Sequence, residues 1–169
     1  MAESSNYRVK KRRRREKATN YEKRLELLQS GRPRAVVRTS NRHTRVHISH
    51  FNREGDENTA QTVSGELEEF GWEEHTGNLP AAYLTGFLAG KRAETDRAVL
   101  DTGLRSIKPG SRVFAAVQGL RDAGVEVPVG DEMVPDDGRM RGEHIEEMKE
   151  SGITEAFENV KDEIEGEVE

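Results

Sequence analysis

The first 18 residues of this chain hold too little apolar surface to join a folded core. They carry eight Lys and Arg side chains, and from residue 8 onward Val9 and Ala18 are the apolar side chains among them. Such a segment cannot offset the conformational entropy that it would lose on ordering. We therefore expect residues 1–18 to be a basic arm that is disordered in the free protein and becomes ordered when phosphates neutralise it.

The charge of the chain is divided by position. Residues 1–53 hold 16 Lys and Arg against four Asp and Glu, a formal charge of +12, whereas residues 54–169 hold 11 against 28, a formal charge of −17. The total of −5 conceals this division. Basic residues concentrated at one end of a chain are typical of proteins that bind nucleic acid, so we expect an RNA or DNA partner.

Length and composition exclude several classes of protein. A chain of 169 residues, 33% of them hydrophobic, is long enough for one domain with a modest core. It contains no cysteine, which excludes disulfides and thiolate metal sites and fits a reducing environment. No apolar run approaches membrane-spanning length, and the N-terminus lacks the pattern of a secretory signal. We therefore expect a cytoplasmic protein with no membrane partner.

A helix is expected to follow the basic arm. Thr19 is placed to cap it, and Glu22 stands three residues later, as in a capping box. Leu25 and Leu28 recur at helical spacing, and the Ser-Gly pair at 30–31 is a typical helix end.

Two runs with period-two alternation come next, Arg34–Thr39 and Thr44–His50. Their apolar positions are Ala35, Val37, Val46 and Ile48, and their basic positions are Arg34, Arg38, Arg45 and His47. Successive side chains of a strand point to opposite faces of the sheet. The pattern therefore predicts an antiparallel hairpin with an apolar face toward the core and a basic face toward a partner.

The remaining sequence alternates strands and helices. We predict a strand at 59–63, a short helix at 66–70, a helix opened by Asn78 and Pro80, a strand at 98–101, a helix from Ser111 to about residue 123 and a short strand at 125–127. Ala82, Gly86 and Gly90 form a flat stripe that would let their helix lie close to a sheet. A helix near 139–150 and a frayed acidic end follow.

This order of elements is typical of an α/β fold with a mixed β-sheet and packed helices. A basic N-terminal arm precedes that fold, and an acidic C-terminal helical tail follows it. We accordingly divide the chain into the arm (1–18), an α/β domain (19–128) and an acidic, partly helical extension (129–169).

Two features are candidates for phosphate binding. Arg12–Arg15 offers four planar guanidinium groups whose donors match phosphate oxygens, with a solvated tail or a targeting signal as the simpler alternative. Lys108 and Arg112 flank the expected helix start at Ser111, and cations beside a helix N-terminus make a natural phosphate site. An ordinary loop-to-helix junction explains this second pattern equally well.

Metal binding and catalysis are disfavoured by the spacing of the relevant residues. His43 and His47 are about four rises of ~3.3 Å apart along a strand, whereas zinc ligands must each reach the metal at ~2 Å. Asp101 ends an apolar strand, as some catalytic carboxylates do, but neither a nucleophile–base pair nor a phosphate-cradling glycine loop accompanies it. We expect Asp101 to cap the turn or order the following loop, and we expect no metal site and no cofactor.

Several segments resemble the ribosomal protein L18 family in its archaeal and eukaryotic form. The matching segments are Tyr7, Lys10–Glu16, Thr19, Tyr21, Arg34–Arg38, Ser40–Arg42, Thr76–Asn78, Ala81–Gly86, Leu100–Asp101 and Gly110–Ala115. They follow one another in order, which no single motif could imitate. Asn20 departs from the aspartate that is usual in the family, but either residue can start a helix.

The resemblance implies a structural ribosomal protein without enzymatic activity. It implies 5S rRNA, 23S rRNA and neighbouring ribosomal proteins as partners, a place in the central protuberance of the large subunit, and no small-molecule substrate. The residues expected to contact RNA are Arg8, Lys10, Lys11, Arg12, Arg13, Arg14, Arg15, Lys17, Tyr21, Arg24, Arg34, Arg38, Asn41, Arg42, Arg45, His47, Lys108 and Arg112. The residues by themselves leave open a DNA-associated architectural protein or a metal-dependent nuclease. A nuclease needs several carboxylates that converge on a divalent metal, and the expected structured body shows no obvious cluster of that kind.

Overall fold

A four-stranded mixed sheet organises the chain, which the computed structural model describes at residues 8–106, 108–149 and 151–167. Its strands are β1 (Arg34–Thr39), β2 (Thr44–His50), β3 (Glu57–Val63) and β4 (Val99–Asp101). They lie in the order β3-β2-β1-β4. The first three strands are antiparallel to their neighbours, and β4 joins β1 in parallel. The predicted hairpin and the predicted mixed sheet are confirmed.

Helices account for most of the remaining described residues. They are α1 (Arg12–Arg15), α2 (Tyr21–Gln29), α3 (Leu79–Lys91), α4 (Arg112–Asp122), α5 (Asp137–Arg141), α6 (Glu143–Glu146) and α7 (Ile153–Glu167), with 3₁₀ helices at Ser64–Phe70 and Asp131–Met133. Within the described ranges, none is long and apolar enough to cross a membrane. The short strand predicted at 125–127 is reduced to a single bridge between Arg97 and Glu126.

The two faces of the sheet have different chemistry, as the alternation predicts. The apolar residues of the hairpin, which are Ala35, Val37, Val46 and Ile48, are at most 1% exposed and pack with Val113, Val117 and Leu120 of α4. Fully burying a valine or isoleucine side chain stabilises the fold by ~1.5–3 kcal/mol. The opposite face carries the polar and basic residues and, together with α2, forms the site described below.

The small-residue stripe of α3 packs against another helix, and the prediction that it faces the sheet is wrong. A side chain at Gly86 would overlap the backbone carbonyl of Ala116 in α4, and one at Gly119 would overlap the carbonyl of Tyr83 in α3. A side chain at Gly90 would similarly overlap Cβ of Ala123 and lie close to Leu120. The two helix backbones therefore approach each other too closely to admit even a methyl group at these crossing points.

The C-terminal region differs from the predicted single helix and frayed end. Gly142 has φ +92°, which ends α5 and separates it from α6; this backbone conformation favours glycine. Tyr7, which contributes to the family resemblance, and Glu150, the expected end of that helix, lie outside the described residues.

Helix α7 contributes to the core. Ile153, Phe157, Val160 and Ile164 are at most 3% exposed, and they belong to the same apolar cluster as Tyr83 of α3. Their spacing of four, three and four residues places them on one side of a helix. The acidic residues of this segment occupy the other side, so a strongly acidic stretch still supplies an apolar stripe.

The start of α2 lies one residue later than predicted. Asn20 is the N-cap, and its side-chain oxygen accepts hydrogen bonds from the backbone N–H groups of Glu22 and Lys23 at 3.1 and 3.2 Å. Thr19, the predicted cap, instead accepts a hydrogen bond from Nε of Arg13 at 2.9 Å. The position at which the sequence departs from the family pattern is therefore the position that starts the helix.

Candidate nucleic-acid interface

A carboxylate at the end of β4 ties residues of the polar face of the sheet together. Asp101, at the end of β4, accepts hydrogen bonds from Nη1 of Arg34 at 3.0 Å and from Nη2 of Arg38 at 2.9 Å. It also accepts one from the backbone N–H of Gly103 at 2.8 Å. Asp101 therefore orders the loop after β4, as predicted, and in addition ties two arginines of β1 to that strand.

Arg34 lies on the predicted basic face of the hairpin, opposite the apolar core, but it is buried there and its two terminal nitrogens pair with residues of this protein. The residue is 3% exposed. Its guanidinium pairs with Asp101 and with Asp56, and it donates to Oγ of Ser49 at 3.4 Å. An arginine that is buried in this way requires charge partners, and the two carboxylates supply them. Arg38 lies on the same face but is 41% exposed in its side chain.

Both carboxylates are held in their ionised form. Burial by itself would raise the pKa of Asp101, but hydrogen bonds from Arg38, Gly103 and Arg34 outweigh burial and lower that pKa below its ordinary value. Burial would likewise raise the pKa of Asp56, and the guanidinium groups of Arg24 and Arg34 lower it. The polar face is therefore an ionic network at neutral pH.

Helix α2 lies over this polar face without packing tightly onto it. Arg24 pairs with Asp56 at 2.8 Å, and Nζ of Lys23 donates to Oγ1 of Thr102 at 3.1 Å. Every residue of α2 is half-buried or exposed. A cleft of about 560 Å³, here called the α2 cleft, lies between the helix and the sheet.

The described part of the basic arm forms one exposed helical turn, where the sequence predicts disorder. The turn is α1, and its four arginines are exposed. Nη2 of Arg14 lies 3.3 Å from Glu22, and Nζ of Lys11 lies 5.0 Å from the ring centroid of Tyr21. These surface contacts, with the Arg13 bond to Thr19, attach the turn to the start of α2. Arg8, Lys10 and Lys17 are also exposed.

A second basic area lies at the turn end of the hairpin. Asn41 and Arg42 are exposed in that turn, and the carbonyl of Arg42 accepts a hydrogen bond from Oγ1 of Thr76 at 2.8 Å. Nη1 of Arg112 donates to the carbonyl of Gly77 at 2.7 Å. The loop at 76–78, which precedes α3, is thereby joined both to the hairpin and to the first residue of α4.

The two residues of the predicted phosphate site, Lys108 and Arg112, differ in how accessible they are to a ligand. Lys108 is exposed, whereas Arg112 is half-buried. Burial and the nearby Arg105 lower the pKa of Arg112. Ser111 occupies the N-cap position of α4, but its Oγ is buried and has no partner within the described chain. Lys108 is therefore the more available cation of the pair.

The histidines take separate positions. His47 is half-buried on the polar face of β2; burial, outweighing a hydrogen bond with Gln61, lowers its pKa, and Arg38 and Arg45 lower it further. Nδ1 of His43 instead lies 3.3 to 3.4 Å from the hydroxyls of Thr76 and Ser64. Across the described ranges, no three His, Cys, Asp or Glu residues are grouped so that they could hold a metal ion. Arg45, on the same face as His47, is exposed.

Three residues of this surface were not anticipated from the sequence. Lys23 bonds the loop after β4, Asp56 joins α2 to β1, and Nη1 of Arg105 donates to Oγ1 of Thr39 at 2.6 Å. Lys23 carries a local signal, since it lies one helical turn after the predicted cap. Asp56 and Arg105 stand in loops, and their partners are distant in sequence.

Comparison with known proteins finds one matching family and several similar proteins. The family described as "Ribosomal large subunit proteins 60S L5, and 50S L18" matches residues 5–97. The chain is 52% identical over 153 residues to the large ribosomal subunit protein uL18 of Natronomonas pharaonis, covering 89% of this chain and 83% of that protein. It is 50% identical over 153 residues to the uL18 protein of Haloferax volcanii, again covering 89% of this chain and 83% of that protein. With the uL18 protein of Korarchaeum cryptofilum it shares 46% identity over 97% of both chains.

Proposed function

Because the chain belongs to the L5/L18 family of large-subunit ribosomal proteins, we propose that it binds 5S rRNA and helps attach it to 23S rRNA in the central protuberance. The family consists of structural, non-enzymatic ribosomal proteins. The role proposed for this chain is therefore electrostatic and geometric: the protein neutralises phosphates of a folded RNA and holds its segments at fixed spacing.

The observation that carries the proposal is that basic residues of the arm, of α2 and of the sheet line one cleft. The exposed arginines of α1 are attached to the start of α2, and α2 lies over the polar face of the sheet. Half-buried Arg38 and exposed Arg45 are paired on the same face of the sheet, so the arm, the helix and these two residues belong to one side of the molecule. Arginine matches phosphate oxygens through its planar donors, and phosphate contacts supply a large share of the affinity for a nucleic acid.

RNA is favoured over DNA as the partner by the shape of this surface. A duplex DNA reader places a helix or a strand pair in the major groove, whereas α2 is tied by Arg24 and Lys23 to the sheet beneath it. Folded RNA is recognised through its shape, its backbone and its unpaired bases. A broad basic surface with a cleft suits that mode of recognition.

We also propose a secondary phosphate contact at the turn end of the hairpin. Lys108 is exposed in the loop before α4, and Arg42 and Asn41 are exposed in the hairpin turn. The loop at 76–78 connects the two regions, because it bonds both Arg112 and the carbonyl of Arg42. This area is separate from the arm along the chain and offers a natural place for a second RNA segment or a neighbouring ribosomal protein. The proposed partners at this point are 23S rRNA and proteins of the large subunit.

The proposal is tested by gel shift of the full-length chain with 5S rRNA, an unrelated folded RNA of equal length, and random duplex DNA at one salt concentration. We expect binding to 5S rRNA that is at least tenfold tighter than to either competitor. Equal affinity for duplex DNA would favour an architectural DNA-binding protein. Cleavage of the RNA that depends on added Mg²⁺ and persists in independent preparations would favour a nuclease.

A further inference from the structure

The α2 cleft is large enough to hold a ligand. Its volume of about 560 Å³ lies within the ~300–1,000 Å³ that is typical of small-molecule sites. The polar face of β1 and β2 forms its floor, and α2 forms one wall. Because Lys23 and Arg24 hold the helix through the ends of long side chains, the space between helix and sheet is left open.

Two buried nitrogen atoms at the floor of the cleft have no partner in the described part of the chain. They are Nε of Arg34 and Nδ1 of His47, and both residues line the cleft. Arg34 is 97% buried, since 3% of it is exposed. Buried polar atoms are nearly always hydrogen-bonded in folded proteins. Two exceptions in one cavity therefore indicate a place where an additional polar molecule completes the hydrogen bonding.

The remaining lining suits a flat molecule with a polar edge and an anionic group. Leu27, Val36 and Leu104 supply apolar surface, and Arg38 supplies a guanidinium plane. Unpaired bases of RNA stack on apolar and guanidinium surfaces and present hydrogen-bonding edges. Burial lowers the pKa of His47 and keeps its ring neutral, so its unpartnered Nδ1 can donate to or accept from a base edge according to the tautomer.

Resting on the proposed function above, we propose that the α2 cleft takes one unpaired nucleotide of the bound RNA. Its base lies between Leu27 and the floor of the sheet, with its edge at His47 and Nε of Arg34. Its phosphate contacts Arg13 and Arg24, which also line the cleft. The cleft thereby adds the recognition of one base to a surface that otherwise contacts the RNA backbone.

The test introduces a larger side chain into the cleft from helix α2. Leu27 lines the cleft, whereas Leu25 is 58% exposed on the same helix and does not line it, so Leu27→Trp and Leu25→Trp form a matched pair. Both are assayed for affinity to 5S rRNA and by chemical acylation of the RNA 2′-hydroxyls in the complex. We expect Leu27→Trp to weaken binding by about tenfold or more, the size of one stacked base, and Leu25→Trp to change it less than threefold.

The acylation pattern gives the site-specific readout. One unpaired nucleotide should change its reactivity on binding wild-type protein and keep its free-RNA reactivity with Leu27→Trp, while the rest of the footprint stays. His47→Leu, which retains the side-chain bulk but removes the ring nitrogens, is the second variant, and melting temperature checks its fold. In the complex with His47→Leu, the same nucleotide should keep its free-RNA reactivity, and affinity for 5S rRNA should fall by about tenfold. The double variant should bind 5S rRNA no more weakly than Leu27→Trp alone.

The outcomes separate this inference from the proposed function. If wild-type protein binds 5S rRNA selectively and both cleft variants give the wild-type footprint and affinity, the inference is overturned and the proposed function stands. If wild-type protein shows no preference for 5S rRNA, the proposed function fails, and the inference fails with it. Saturable binding of a free ribonucleoside 5′-monophosphate at micromolar concentration, seen in the His47 ring resonances, would assign the cleft to a free nucleotide instead.

Discussion

The buried guanidinium of Arg34 in β1 donates a hydrogen bond from Nη1 to Oδ2 of Asp101 in β4 across 3.0 Å. The two residues are 67 positions apart in the chain, and they belong to the pair of strands that run parallel. This ion pair fastens the last strand of the sheet to the hairpin. It also sets the floor of the α2 cleft, since both residues line that cleft.

Asp101→Asn should destabilise the fold by about 3 kcal/mol, because removing one partner of a buried ion pair leaves a charge without compensation. Asp56 still neutralises part of the Arg34 charge, which keeps the loss at the lower end of the usual range. Urea unfolding followed by circular dichroism measures it. Asp96→Asn, at an exposed position, is the control and should stay within about 0.5 kcal/mol of wild type; equal stability of the two variants would contradict the role of the ion pair.

Stability should decrease in acid because of the same network. The folded-state pKa values of Asp101 and Asp56 are lowered, so the folded protein binds fewer protons than the unfolded chain. The stabilisation is therefore complete above the ordinary Asp pKa of about 3.9. It is lost as the pH falls below that value and through the folded-state pKa values. Unfolding free energy measured from pH 7 to pH 2.5 should show this decline, and Asp101→Asn should make it shallower over that range.

Replacement of Arg12, Arg13, Arg14 and Arg15 by alanine should flatten the plot of log affinity for 5S rRNA against log salt. Each phosphate contact contributes about 0.7–0.9 log units of slope, so the loss is roughly 3 units if all four arginines are engaged. The melting temperature should hardly change, because these side chains are exposed. The paired variant Arg97→Ala with Arg139→Ala, also at exposed positions, should retain the wild-type slope. Identical slopes for all three proteins would contradict phosphate contacts by the arm.

Lys108→Glu should weaken binding to RNA without weakening the fold, because Lys108 is exposed. Arg112→Glu should do both, since Arg112 is half-buried and donates to the carbonyl of Gly77. Fluorescence anisotropy with 5S and 23S fragments and thermal melts of both variants separate the two effects. Lys149→Glu, an exposed lysine of the acidic region, is the charge-matched control. Unchanged affinity of Lys108→Glu for every fragment would contradict the proposed phosphate contact and leave the loop with a structural role only.

Gly86→Ala should destabilise the protein by about 1–3 kcal/mol, because the added methyl group would overlap the backbone of Ala116 and force α3 and α4 apart. Gly166→Ala makes the same substitution near the end of α7, where no atom of the described residues lies within 4 Å of the new carbon. Alanine loses less backbone entropy than glycine in a helix, so Gly166→Ala should be neutral or slightly stabilising, by up to about 1 kcal/mol. Thermal melts measure both, and destabilisation of similar size in the two variants would contradict the close approach of the helices.

Much of the fold was accessible from local sequence patterns. The alternation over 34–50 predicts both strands of the hairpin with their observed bounds, and Asn78 with Pro80 predicts the start of α3. Side-chain periodicity and helix caps involve residues a few positions apart, so the chain itself carries the information. The apolar stripe of α7 was also present at positions 153, 157, 160 and 164, but the acidic composition outweighed it in the prediction.

The candidate site depended more on tertiary structure. The basic character of the hairpin and of the arm was evident from the sequence, but which arginines are accessible was not. Arg34 and Arg38 occupy equivalent positions in the alternation, yet one is 3% exposed and the other 41% in its side chain. The difference arises because Asp56 and Asp101, 22 and 67 residues away in the chain, meet at Arg34.

The sequence by itself determined the strand and helix periods, the caps and the concentration of positive charge, because each depends on near neighbours or on composition. The tertiary structure alone decided that the glycine stripe of α3 faces α4 and that α2 lies over the sheet with a cleft beneath it. It also decided that the terminal nitrogens of Arg34 form ion pairs with two carboxylates. These outcomes depend on which distant surfaces come into contact, and burial and charge pairing are properties of those contacts rather than of any local stretch of chain.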